Sequence, residues 1–307
     1  MRVSVQPTVE PQPDASIEAW RAWIQDLIRA GRFTGRIWSW VCIGQRYFLK
    51  IPKVSGGHLD TDFRDGAAEA DREYRLTQSL AERIEGMVDT PLRLIDGCLV
   101  KRRLVGPDLW ALAKQQGATK RVEEAIKHGV VFAAQLHRLD PATVPGLTVH
   151  DYANDPYLSA PEQLRDRLGQ RQQTIVLGGL DVRNFKQDRP AGRWLFFDPH
   201  TAQVGAPEDD FARYILSLLM INWGRHLDCR IWTQFDYHEL AAVYENTRGA
   251  SLDHDLLAYM FARNIARVRS DVWASYDWSL WLRRAAARAY EKLFFWQAMR
   301  WGAQYGL

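Results

Sequence analysis

The chain has 307 residues, 47% hydrophobic and 25% charged, a composition typical of a globular protein with one large core or two smaller ones. Its net charge of +3 is too small to indicate a nucleic-acid-binding surface, so we expect no nucleic-acid partner. Three widely separated cysteines, Cys42, Cys98 and Cys229, exclude a disulfide framework and lack metal-ligand spacing.

The first residues carry three prolines within seven positions and lack the apolar stretch that a signal peptide needs. We expect residues 1–14 to form a disordered tail. The longest apolar run, residues 214–221, is too short to cross a membrane. These features predict an intracellular, cytoplasmic protein.

After the tail, the pattern predicts a small β-rich lobe over residues 15–105. Apolar residues recur at helical spacing over residues 16–31. Two strands with a turn near residues 43–45 follow within residues 36–52, and then a helix over residues 67–84. Two more strands are predicted over residues 91–97 and 98–106, with a turn between them.

From residue 106 to residue 307 the pattern becomes mostly helical, which predicts a larger second lobe and an α+β fold. A long amphipathic helix is predicted over residues 122–140. Two short β-like runs, residues 174–177 and 193–198, bracket a polar segment. The next helix begins near residue 207 with acidic side chains, which a helix N-terminus favours.

Two distant segments carry residues suited to phosphoryl transfer. Lys50 lies inside an apolar strand, where an unpaired ammonium would be costly, and Glu73 on the following helix is the acid that we expect to pair with it. Asn184 and Asp198 lie in and after the polar segment. Phosphoryl transfer from ATP uses such a lysine on the phosphates and holds Mg²⁺ on an Asp and an Asn.

In the order and spacing of its segments the sequence resembles the aminoglycoside-phosphotransferase and lipopolysaccharide (Kdo/heptose) kinase branch of the protein-kinase-like superfamily. Residues 44–52 resemble its second and third strands, with Lys50 as the phosphate lysine, and residues 71–84 resemble its αC helix, with Glu73 as the ion-pair acid. Residues 106–113 and 133–140 resemble the hinge region and the end of helix αE. The resemblance implies a two-lobed fold: a small antiparallel β-sheet N-lobe with αC, and a larger, mostly helical C-lobe.

The catalytic loop of that branch reads His-Gly-Asp-Leu-x-x-x-Asn, and residues 177–184, LGGLDVRN, resemble it. The resemblance implies that Asn184 and Asp198 bind Mg²⁺ and that Asp210 braces the loop. An oxygen-rich pair of this kind suits a hard cation.

The loop departs from the family pattern at two positions. Leu177 stands where the family has His, and Gly179 stands where it has the catalytic Asp. The glycine-rich phosphate loop is also poorly formed, because residues 29–40 contain Gly31 and Gly35 but no G-x-G-x-x-G.

Asp181 is the nearest carboxylate that could replace the missing base. Residues i and i+2 of an extended segment point the same way but lie roughly 6–7 Å apart. A base must come within about 3 Å of its proton or act through one water. Asp181 therefore serves as the catalytic residue only if the glycines at 178 and 179 allow the loop to be reshaped.

These features imply an ATP- and Mg²⁺-dependent phosphotransferase that acts on a small molecule or glycan, a lipopolysaccharide-core sugar being one candidate. The alternative is a catalytically impaired pseudokinase that binds a nucleotide or a partner. AMP transfer ranks third, by resemblance to selenoprotein-O-type pseudokinases, which also lack the usual catalytic Asp.

Two further segments have alternative interpretations. His150, Asp151 and Asn154 mimic a catalytic loop, but the strand that ends in Asp198 comes about 44 residues after Asn154, too late for that assignment. Residues 281–307 carry five basic residues against one acidic and several aromatics. We expect the aromatics to pack into the helical lobe; peripheral contact with the inner membrane through this helix is left open.

Overall fold

In the computed structural model the chain divides into two compact units, Met1–Val105 and Gly106–Leu307. The structure describes residues 9–36, 39–53, 59, 65–157, 164, 167–168, 173–199, 201–223, 230–275 and 281–307; for residues 271–275, 281–284, 286, 287 and 290 it describes the backbone alone. Cys42 and Cys98 are free thiols in the interior. Cys229 lies outside the described residues.

The first unit contains a five-stranded antiparallel sheet, in which the fifth strand of the chain lies between the third and the fourth. One helix precedes the sheet and a second lies between its third and fourth strands in the chain. The elements are α1 (Ile17–Arg29), β1 (Thr34–Gly35), β2 (Ser39–Ile43), β3 (Tyr47–Pro52), α2 (Ala67–Arg83), β4 (Pro91–Ile95) and β5 (Cys98–Arg102).

Helix α1 and one face of the sheet form the core of this unit. Ser16 caps the helix by accepting a hydrogen bond from the Ala19 amide, and the apolar stripe of the helix is buried. The ring of Trp20 meets that of Tyr47 edge-on, with centroids 4.8 Å apart. Leu49 lies in the same core.

The structure differs from the predicted disordered tail at residues 10–13. The Glu10 carboxylate accepts hydrogen bonds from the amides of Gln45 (2.5 Å) and Arg46 (2.8 Å) in the β2–β3 turn. The Pro11 carbonyl accepts from the Tyr47 hydroxyl at 3.0 Å. These contacts order the segment because one carboxylate accepts hydrogen bonds from two amides of the turn. The prediction of disorder rested on the prolines, which carry no information about these bonds. Residues 1–8 lie outside the described residues.

The second unit is mostly helical, with short strands around the predicted loop. Its elements are α3 (Leu109–Gln116), α4 (Lys120–Leu136), β6 (Thr148–Val149), β7 (Thr174–Val176), β8 (Phe185–Asp188), β9 (Arg193–Phe196), β10 (Gln203–Gly205), α5 (Pro207–Leu219), α6 (Tyr237–Arg248), α7 (His254–Ser275) and α8 (Trp281–Gln304), with 3₁₀ turns at Pro141–Thr143, Val182–Asn184 and Met220–Asn222.

The two β-like runs that bracket the polar segment belong to different sheets. Strand β7 pairs antiparallel with β10, which also pairs in parallel with β6. Strand β9 pairs with β8. The sequence pattern does not predict β8, because only the first and last residues of FKQD are buried. Phe185 meets the ring of Phe132 edge-on in the core.

Most aromatics of α8 with described side chains pack inward, as expected. Phe294, Phe295 and Trp301 are buried, whereas Trp296 is 53% exposed and lies under the Arg300 guanidinium. Among the residues that the structure describes, no helix combines the length and the apolar character that crossing a bilayer requires.

Helices α4 and α5 approach closely at a glycine, and this contact sets the position of α5. A Cβ on Gly129 would lie 2.2 Å from the Tyr214 hydroxyl oxygen. Tyr214 is fully buried and its hydroxyl donates to the Ile126 carbonyl at 2.9 Å, so the ring has little freedom to move.

We expect Gly129→Ala to lower the free energy of unfolding by about 1–3 kcal/mol, although alanine is the better helix former, because the added methyl overpacks the contact. Urea denaturation measures this. Combining it with Tyr214→Leu, which opens space, should cost less than the sum of the two single changes. Simple additivity would contradict the steric explanation.

Candidate functional site

Lys50 and Glu73 form a buried ion pair in the first unit. Lys50 Nζ lies 2.8 Å from Glu73 Oε2, and the two side chains are only 8% and 2% exposed. Leu49 and Ile51 on β3 point into the core shared with α1, so strand alternation turns Lys50 to the opposite face, toward α2. Glu73 Oε1 is buried without a hydrogen-bond partner among the described residues.

A buried ion pair adds little to the free energy of folding, because the hydration that two charges lose on burial can exceed the energy of their attraction. Lys50 donates to the Glu73 carboxylate, which restrains the position of the ammonium. The arrangement suits a lysine that binds phosphate oxygens.

In the second unit, Asp210 fixes the backbone at the start of the loop. Its Oδ2 accepts a hydrogen bond from the Leu177 amide (2.7 Å) and its Oδ1 accepts one from the Gly178 amide (2.9 Å). His137 Nε2 lies 3.3 Å from the same carboxylate. Asp210 is fully buried in the first turn of α5, where the helix dipole favours negative charge.

Asn184 closes the other end of the loop. Its Nδ2 donates to the Gly179 carbonyl at 3.2 Å, so its carbonyl oxygen is the atom of this side chain that suits a cation. The backbone carbonyl of Asn184 accepts a hydrogen bond from the Phe197 amide at 2.9 Å. Asp198 is the next residue after Phe197. Asp198 has φ of +73°, an uncommon conformation for a residue other than glycine.

Asn184 and Asp198 therefore present chemistry that fits Mg²⁺. One offers a carboxamide oxygen and the other a carboxylate, and hard cations prefer such oxygen ligands. The unusual backbone of Asp198 is of a kind that clusters at binding and catalytic sites.

Asp181, the predicted substitute base, is held in an ion-pair cluster. Arg183 donates to both carboxylate oxygens (2.8 and 2.7 Å), and Arg213 donates to one of them at 2.9 Å. Asp181 is buried, and it also caps the 3₁₀ turn by accepting from the Arg183 amide.

These contacts weigh against the role of a base, which remains a prediction from the sequence. Burial alone would raise the pKa of Asp181, but the charges of Arg183 and Arg213 and the hydrogen bonds from Arg183 outweigh it and hold the pKa well below its ordinary value. A carboxylate of such low pKa is a weak proton acceptor. Its contacts are those of a residue that holds the loop in shape.

Two loop contacts come from residues that the sequence pattern does not single out. Thr201 Oγ1 donates to the Leu177 carbonyl, and Arg267 Nη1 donates to the Gly178 carbonyl at 2.6 Å. Arg267 lies 89 residues from its partner, on α7. The only signal in the sequence is its spacing of one helical turn from Arg263, which is common on any helix.

The segment that mimics a catalytic loop has a structural role beside β10. His150 Nδ1 lies 2.9 Å from Gln203 Nε2, and its Nε2 lies 3.0 Å from Asp155. Asp151 and Asn154 bond each other within an exposed turn. The segment borders the loop region without forming the loop.

Comparison with solved structures identifies the fold. An aminoglycoside phosphotransferase from Streptomyces rimosus, in complex with ADP and streptomycin, is 16% identical and matches 79% of this chain and 97% of its own with a TM-score of 0.50. A GDP complex of an aminoglycoside 2'-phosphotransferase is 14% identical, with 94% and 99% of the two chains covered and a TM-score of 0.54. A choline kinase from Streptococcus pneumoniae is 11% identical, with 90% and 99% covered and a TM-score of 0.50.

These likenesses show that the chain has the protein-kinase-like fold, with the small sheet-bearing unit and the larger helical unit of that superfamily. No protein-family model matches the sequence. A search of curated proteins finds no match either.

Removing the charge of Asp210 should loosen the loop. We expect Asp210→Asn to lower the free energy of unfolding by about 2–3 kcal/mol, because an amide nitrogen would then face a backbone N–H donor. The amides of Leu177 and Gly178 should exchange hydrogen faster. Glu124→Gln, at a largely exposed side chain, is the control and should change neither quantity; unaltered exchange in Asp210→Asn would contradict the bracing role.

The Asp181 cluster should make stability depend on pH. The pKa of Asp181 in the folded state lies below its unfolded value of about 4. Its ion pairs therefore stabilise the protein above that pH, and this stabilisation is lost as the pH falls below it. Relative to Asp181→Asn, we expect the unmutated protein to be more stable by about 3 kcal/mol from pH 5 to pH 8.

Urea denaturation across pH measures this difference, which should shrink below about pH 4. The exposed Glu82→Gln provides the control and should show no comparable difference. A constant gap down to about pH 3 would show that the charge of Asp181 is not what stabilises the loop.

Proposed function

We propose that the protein is a nucleotide- and Mg²⁺-dependent phosphotransferase with a small-molecule acceptor. The observation that carries this proposal is the buried Lys50–Glu73 ion pair, which has the chemistry of a phosphate-binding lysine in a fold whose solved examples include nucleotide complexes. In this proposal Lys50 binds phosphate oxygens of the donor and Glu73 holds Lys50 in place.

The loop supplies the remaining roles. Asn184 and Asp198 would hold Mg²⁺, and Asp210 keeps the loop backbone in position for Asn184. Bound Mg²⁺ would neutralise charge on the transferring phosphoryl group. ATP is the donor that we favour; the GDP complex among the similar structures makes GTP the comparison nucleotide.

The acceptor class follows by analogy with the similar structures, of which one is an aminoglycoside phosphotransferase in complex with streptomycin and another is a choline kinase. A glycan acceptor, such as a lipopolysaccharide-core sugar, is the narrower version of the proposal. Such an acceptor would require a cytoplasmic protein to reach the inner leaflet of the membrane. On the described surface, the exposed Trp296 beside Arg300 on α8 suits such peripheral contact.

A second function is favoured by one observation. Gly179 replaces the family's catalytic carboxylate, and Asp181 is paired with two arginines. These features suit a pseudokinase that binds a nucleotide or a partner without efficient transfer. AMP transfer is the third candidate and differs in its product, since it releases pyrophosphate instead of a nucleoside diphosphate.

Nucleotide binding tests the proposal directly. We expect ATP with Mg²⁺ to raise the melting temperature of the full chain, since a ligand at 100 times its Kd adds about 2.7 kcal/mol to stability. Lys50→Met should abolish most of this shift, whereas Lys120→Met, at a side chain that is 90% exposed, should leave it intact.

The products separate the candidates. Release of nucleoside diphosphate with label from the γ-phosphate on an acceptor supports the phosphotransferase, and release of pyrophosphate supports AMP transfer. Nucleotide binding without turnover supports the pseudokinase. Absence of any nucleotide-induced shift, in ATP and in GTP, would overturn the proposed function.

A further inference from the structure

The turn between β2 and β3 in the first unit surrounds an acid from the N-terminal segment. The Glu10 carboxylate accepts hydrogen bonds from the consecutive amides of Gln45 (2.5 Å) and Arg46 (2.8 Å). Arg46 Nε also lies 3.5 Å from the same carboxylate. Consecutive backbone amides that converge on one anion are a common way for proteins to bind carboxylates. The turn therefore has the donors of a carboxylate-binding site, and Glu10 fills it.

The glycine that opens this turn is explained by the carboxylate and not by its own backbone. Gly44 is not among the residues of positive φ, the conformation that favours glycine. A Cβ on Gly44 would lie 2.1 Å from Glu10 Oε1, far inside contact distance. Position 44 is thus matched to the presence of the acid.

The residues that follow the acid are bound through their backbone carbonyl groups. Three side chains of the sheet donate to these carbonyls: Arg46 to Glu10 (2.6 Å) and Pro11 (2.9 Å), Tyr47 to Pro11 (3.0 Å), and Arg93 to Pro13 (2.7 Å). Proline fixes φ near −65°, which favours an extended segment without internal hydrogen bonds. Domains that recognise proline-containing peptides exploit the same property.

The segment lies on the surface and is held by polar contacts. Val9 is 89% exposed, and the side chains at positions 12–14 are exposed as well. A segment with few buried apolar contacts opens at a low cost in free energy. Its contacts are therefore those of a bound peptide, and they can be broken without unfolding the core of the unit.

We propose that the β2–β3 turn, together with Arg46, Tyr47 and Arg93, is a peptide-recognition site that residues 10–13 occupy as an exchangeable internal ligand. The peptides that fit are extended segments in which an acid directly precedes a proline, as Glu10 precedes Pro11. Because only residues 14–16 join the segment to α1, its effective concentration at the site is about millimolar or higher. The inference concerns the first unit alone and does not depend on the phosphotransferase proposal.

Peptide binding to the full chain tests the inference. Glu10→Lys should expel the internal segment, because an ammonium would then face two N–H donors and the Arg46 guanidinium. A labelled peptide with the sequence VEPQPDA, residues 9–15, should bind this variant in a fluorescence anisotropy titration. It should bind the unmutated protein about 100-fold more weakly, because there the internal segment competes for the site.

Matched changes identify the chemistry of the site. The peptide VQPQPDA should bind Glu10→Lys about 10- to 100-fold more weakly than VEPQPDA, the loss expected for hydrogen bonds to a charged group. Adding Gly44→Ala should abolish binding of VEPQPDA, because the new Cβ blocks the carboxylate, and should leave the melting temperature unchanged. Adding Arg46→Gln should also weaken binding, whereas Arg29→Gln, at a side chain that is 72% exposed, should not.

Hydrogen exchange gives a second measurement on the same chain. The amides of Gln45 and Arg46 should exchange faster in Glu10→Lys than in the unmutated protein, and saturating VEPQPDA should slow them again. Glu10→Gln serves for the same measurements if the reversed charge prevents folding.

Four results would each overturn the inference: no peptide binding by the Glu10 variant, equal affinity of the unmutated protein, equal affinity for VQPQPDA, or full binding after Gly44→Ala. Sedimentation of the unmutated protein adds a fifth. A concentration-dependent dimer that Glu10→Lys abolishes would show that the segment occupies the turn of a second copy, which contradicts an internal ligand.

Discussion

Both oxygens of one buried carboxylate determine how the loop at residues 177–184 is held. Asp210 accepts from two consecutive amides, and since each oxygen has its own donor, the peptide planes at Leu177 and Gly178 can take only a narrow range of orientations. These two peptides set the direction in which the chain enters the 3₁₀ turn that ends at Asn184. The loop therefore keeps its shape without depending on the side chain at position 179.

Ion pairs and bonds to backbone groups both hold this loop. Asp181 is matched by Arg183 and Arg213 and works inside the loop. Arg267 donates to the Gly178 carbonyl, so a side chain from α7 also restrains the backbone of the loop.

The sequence predicts those features that depend on residues near in the chain or on strong alternation. The sheet, the two helices of the first unit and the Lys50–Glu73 pairing follow from a buried lysine in an apolar strand and an acid on the next helix. The contacts of Asp181 and Arg267 do not follow, because their partners lie as far as 89 residues away in the chain and nothing in the sequence distinguishes these arginines from the others of the second unit. Glu10 escapes prediction for a similar reason, since its partners are backbone amides.

The permissive backbone at Gly179 has a consequence for how this loop can change over generations. Every glycine codon becomes a codon for aspartate or glutamate through a single substitution at its second base. A Cβ at position 179 would make only ordinary contacts with the described residues, so the first side-chain atom of either acid meets no steric barrier there. An acidic residue at this position is thus one mutational step away from the present sequence.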